Sequence, residues 1–141
     1  MGRLLEIRAA AGYRTAAAVN SLFDTLEKEV RKLPTGARLV TAVDWRPCPL
    51  MSPEASQLIA QRIAATNKYT ERSAALVNRD APVSVLQFLR VIREADLPDR
   101  KLFHDPDELV RYLGEVLSAT ELARLRIFLA ERLPKLGSSK A

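Results

Sequence analysis

The stretch "RLVTAVDWRPCPLMSPEASQLIA", residues 38–60, sets a short β-branched run directly before a strong helix start. Arg38 to Trp45 is flanked by turns and reads as a buried strand. Ser52 then suits an N-cap, Pro53 the first helical position, and Glu54 the positive end of the helix dipole. That helix is expected to reach Thr66 or Asn67 and to bury Leu58, Ile59 and Ile63. A strand that passes into a helix is half of a βαβ unit, so the flanking sequence is read for repetition of the pattern.

Upstream, Leu4 to Ile7 is a candidate first strand. From about Thr15 to Leu33, Val19, Leu22, Phe23, Leu26, Val30 and Leu33 fall on one helix face, and Pro34-Thr35-Gly36 stops it. Downstream, Arg72 to Asn78 is a second buried strand. Asp80-Ala81-Pro82 opens a helix whose buried face is read as Val85, Leu86, Leu89 and Ile92, ended by Leu97-Pro98. Arg100 to His104 is a third short strand, and Asp105-Pro106-Asp107-Glu108 starts another helix. A last helix begins at Ser118, with Glu121 closing a capping box, and carries Leu122, Leu125, Phe128, Leu129 and Leu133. Its apolar stripe is expected to dock within the chain, with a homodimer contact as the alternative. The pattern predicts an α/β fold: a small open, mainly parallel sheet covered by four to five helices. One domain over residues 1–134 is expected, with 135–141 a flexible tail.

Composition narrows the function. At 141 residues and 48% apolar, the chain can bury one ordinary core. No run approaches the roughly 20 apolar residues of a membrane span, and Arg3, Glu6 and Arg8 interrupt any secretory leader. A single cysteine permits no internal disulfide, which fits a cytoplasmic protein. The net charge of +5 is spread thinly with alternating signs, as in Glu27-Lys28-Glu29, unlike the concentrated basic face of a nucleic-acid binder.

The segment Trp45 to Glu54 holds the only cysteine, the only tryptophan and three of the eight prolines, which makes it the candidate site. Its strand, Trp and Pro-Cys resemble a thioredoxin active site. A thioredoxin needs a second thiol, and Arg46 and Pro47 stand where the first cysteine belongs. Pro82 is also followed by a helical period rather than a hairpin. Redox chemistry at Cys48 is therefore an alternative, and a stiff turn the leading reading. His104, beside Asp105 and Asp107, has neither nucleophile nor metal cluster, and five dispersed glycines build no phosphate loop. No cofactor or metal is implied. Arg90, Arg93, Arg100 and Lys101 offer an anion- or phospholipid-binding alternative, opposed by Glu94, Asp96 and Asp99.

Three stretches in order resemble STAS domains, and more narrowly the small STAS-like proteins of soil bacteria: "RLVTAVDWR…SPEASQLIA", "RSAALV" with "VLQFLRVIREADLP", and "RKLFHDPDELVRYLGEVLSATELARLRIFLAE". The resemblance spans residues 36 to 133. It implies a non-enzymatic protein-interaction domain, used in partner switching or as a scaffold, with a kinase-like or sigma-regulating protein as partner. The family's switch is a phosphorylated Ser or Thr at the start of the helix after the central strand. Ser52 stands there, although Leu50-Met51-Ser52-Pro53 replaces the family's Asp-Ser-Ser/Thr-Gly. The implied contact surface is Leu50, Met51, Ser52 and Glu54, with Asn78 and Asp80 on the next loop.

Overall fold

The computed structural model describes residues 3–9, 13 and 15–131. Among the described residues, four strands and five α-helices follow in the order β1 (Leu4–Arg8), α1 (Ala16–Arg31), β2 (Leu39–Asp44), α2 (Pro53–Ala65), β3 (Thr70–Leu76), α3 (Pro82–Ala95), β4 (Arg100–Phe103), α4 (Pro106–Gly114) and α5 (Ala119–Ala130). A 3₁₀ turn, Asn67–Tyr69, joins α2 to β3. The fold is α/β, and its sheet is parallel throughout in the order β1-β2-β3-β4. Leu133 and the tail 135–141 lie outside the described residues.

Each helix starts where its cap dictates. Thr15 Oγ1 accepts from the Ala18 amide at 3.0 Å, and Ser52 Oγ from Ala55 at 3.1 Å. Ser118 and Glu121 form the reciprocal capping box. Such caps satisfy amides that a helix leaves unpaired, each stabilising by about 1 kcal/mol. At the end of α1, Gly36 takes φ +85°, a conformation that a side chain would strain, and turns the chain into β2.

The strand order explains the layers. Parallel crossovers are right-handed, so three of them stepping in one direction stack α1, α2 and α3 on one sheet face. Phe23, Ile59, Phe88 and Val91 pack there with Trp45. The opposite face, Leu4, Val40, Ala42, Ala74 and Leu76, is covered by Leu109 and Leu113 of α4 and Leu125 and Leu129 of α5. The stripe of α5 thus docks within the chain.

The sequence-based face of α3 is corrected. Leu86 and Leu89 are exposed, whereas Phe88, Val91 and Ala95 are buried, with Val85 and Ile92 packed against them. Phe88 sets this rotation: its ring stacks on Trp45 with centroids 4.3 Å apart and 11° between planes. Burying the aromatic removes more apolar surface from water than burying either leucine.

Candidate functional site

At the carboxyl end of β2 the chain makes a stiff, half-buried corner. The Trp45 amide donates to Leu76 O at 2.9 Å, its indole Nε1 donates to Tyr13 Oη at 2.9 Å, and the Cys48 amide closes a turn on Trp45 O. Cys48 is buried, and burial pushes its thiol up to about 12, far from a reactive thiolate. The geometry gives Cys48 a packing role.

Gln87 of α3 clamps Met51, three residues on, at two points. Met51 N donates to Gln87 Oε1 at 2.9 Å, and Gln87 Nε2 donates to Met51 O at 2.8 Å. Met51 is therefore not a surface contact, as the sequence reading had it: its side chain is buried in the core under α3. Leu50 is 58% exposed, and Ser52 and Glu54 are exposed with it. Two residues of α3 that the sequence reading did not place on the surface, Val83 and Leu86, are 63% and 67% exposed. They lie three residues apart on one helix face, and Leu86 borders a shallow groove with Pro53, Ser56 and Gln57 of α2. Asn78 and Asp80 are exposed on the loop after β3, at the same sheet end, where Asn78 Oδ1 accepts from the Asp80 amide at 2.9 Å. That loop shares no hydrogen bond with Leu50 to Glu54 among the described residues.

Asp44, the last residue of β2, is fully buried beneath two arginines. It accepts from Arg8 Nε at 3.1 Å and from Arg46 N, Nε and Nη2 at 3.1, 2.9 and 3.0 Å. Arg8 continues to Glu131 and Phe128 O, and Arg46 to Leu129 O, which ties the sheet to α5. Burial by itself would raise the Asp44 carboxyl; the hydrogen bonds from Arg46 and Arg8 outweigh it and hold the group below the usual carboxylate range. With its lone pairs occupied, Asp44 is a clamp rather than an acid–base group.

The basic cluster does not assemble. Arg90 is exposed and pairs with Glu94 at 3.3 Å, while Arg100 turns inward and is 7% exposed. His104 is exposed, and Asp105 caps α4 through the Asp107 amide at 3.0 Å. Among the described residues, no group of three His, Cys, Asp or Glu side chains could hold a metal, and no helix is long and apolar enough to cross a membrane.

A cavity of about 600 Å³ lies between α1, α2 and the sheet. Its floor carries a polar row across three strands, because Thr41 is in register with Ser73 and Ser73 with Arg100. Thr41 Oγ1 donates to Ser73 Oγ at 2.6 Å. This row escaped the sequence reading because single polar residues within short apolar strands carry no periodic signal.

A comparison of the chain with protein-family models, curated proteins and solved structures finds no match.

Proposed function

We propose that the chain is a non-enzymatic protein-interaction domain of STAS-like character, acting in the bacterial cytoplasm by partner switching or as a scaffold. One observation carries this reading: Leu50 and Leu86 are exposed, and Leu86 borders the groove that begins at Pro53, next to Ser52, on a corner whose backbone Gln87 holds by two hydrogen bonds. Exposed apolar surface gathered at one place marks an interaction site more often than apolar residues scattered singly. The parallel α/β architecture that the resemblance implies is consistent with it.

Ser52 is the proposed switch. A phosphate there meets the unpaired amides and positive dipole end of α2, so the helix survives while the corner gains nearly two negative charges. Those charges would repel or recruit a kinase-like or sigma-regulating protein. Ser52→Asp is the useful mimic, because aspartate also caps and leaves α2 intact.

Tagged wild-type protein, Leu50→Asp and Leu86→Asp would be used to capture partners from the native host, with mass spectrometry of retained proteins and of Ser52. A protein retained by the wild type and lost from both variants, with unchanged thermal melts, is the expected result. Identical retention by all three forms would overturn the surface, and Ser52 unmodified under every growth condition would overturn the switch.

A further inference from the structure

The cavity beneath α1 has the size and lining of a ligand site. Its volume of about 600 Å³ falls within the ordinary range for small-molecule pockets. The roof is α1, whose Leu22, Leu26 and Val30 line the space. Instead of resting on the sheet along its whole length, α1 is held sideways to α2, where Arg62 donates to Asn20 Oδ1 and Asp24 Oδ1, each at 3.1 Å.

Arg100 distinguishes this space from a packing defect. More than nine-tenths buried, it lines the cavity and has no carboxylate partner among the described residues. Its Nε donates to Asn67 Oδ1 at 2.9 Å, and its Nη2 to Thr66 Oγ1 at 2.8 Å and Ile63 O at 3.1 Å. Its Nη1 donates to no acceptor among the described residues. A buried cation satisfied only by neutral acceptors is unfavourable, and a counter-ion would relieve it. Beside it, the Thr41–Ser73 pair supplies hydroxyls on the same row. At the rim stand Arg31 and Lys68, both exposed, while Glu27 is engaged by Arg62.

We propose that this cavity binds an elongated apolar monocarboxylate of the fatty-acid class, its head group paired with Arg100 beside Ser73 and its chain lying under Leu22, Leu26 and Val30. Nε and Nη2 are already engaged, so Nη1 is the donor left for a carboxylate, in a charge-assisted hydrogen bond. Such binding would involve neither Cys48 nor the Ser52 corner, so it is independent of the interaction reading.

The test is isothermal titration of the full chain with dodecanoate, dodecanol and dodecylammonium below their aggregation concentrations. Saturable binding of one dodecanoate per chain is expected, with dodecanol at least tenfold weaker and dodecylammonium not bound. Arg100→Gln should remove the preference for dodecanoate over dodecanol. Because that change also disturbs a buried hydrogen-bond set, Leu26→Trp serves as the second variant; it fills the roof, leaves Arg100 untouched and should abolish binding of both. No saturable heat with dodecanoate, equal affinity for dodecanol, or wild-type binding by Leu26→Trp would each overturn the proposal.

Discussion

Four hydrogen bonds converge on the buried carboxylate of Asp44, from Arg8 and Arg46. Glu121 behaves alike: burial would raise it, but bonds from the Ser118 and Arg3 amides hold it below its ordinary value. Both groups therefore lie below the roughly 3.9 and 4.3 of free Asp and Glu. Their contribution is fully present above those values and is lost as pH falls through the folded values. Stability should decline from about pH 5 downward, measured by denaturant melts across pH. Asp44→Asn should flatten part of that decline and destabilise the chain by about 3 kcal/mol at pH 7, because two arginines lose their shared anion. Ser118 and Glu121 were legible as a capping box in the sequence. The Asp44 clamp was not, since Arg8 reaches it only when β1 and β2 pair.

At the scale of the element, α3 shows how tertiary contact settles what periodicity leaves open. Several rotations of "PVSVLQFLRVIREA" present an apolar stripe, and the sequence reading chose one that buries Leu86 and Leu89. Trp45, fixed by its bond to Tyr13, offers a ring for Phe88 to stack upon, and that contact selects the rotation. Leu86→Asp should change stability by no more than about 0.5 kcal/mol. Phe88→Ala should lower it by about 3–5 kcal/mol. Chemical denaturation of the two variants separates the rotations; the reverse ranking would restore the leucine face. The same rotation turns Leu86 outward beside the Ser52 corner, so one aromatic stack links the core to the proposed surface.

Over the whole molecule, the two faces of the sheet are filled unequally. On one face α4 and α5 press Leu109, Leu113 and Leu125 onto Ala42 and Ala74, whose small side chains admit close approach. On the other, α1 spans a cavity of about 600 Å³. Local opening follows packing, so the amides of α1 should exchange with solvent faster than those of α2 and β3. Hydrogen-exchange mass spectrometry would show this, and equal protection of α1 and α2 would contradict it. Dodecanoate, if bound as proposed, should slow exchange in α1 selectively.

The sequence by itself determined the elements and their order. Caps at Ser52 and Ser118, the β-branched run from Leu39 to Val43 and the stops at Pro34 and Pro98 act through neighbours in the chain, so they are readable without a fold. Strand alternation with helices then implied the parallel sheet. Tertiary structure alone decided that Met51 is core and Leu86 surface, that Arg100 is interior, and that Thr41, Ser73 and Arg100 form one row. Each of those outcomes depends on strand register or on helix rotation about a distant side chain, and neither quantity is encoded in local spacing.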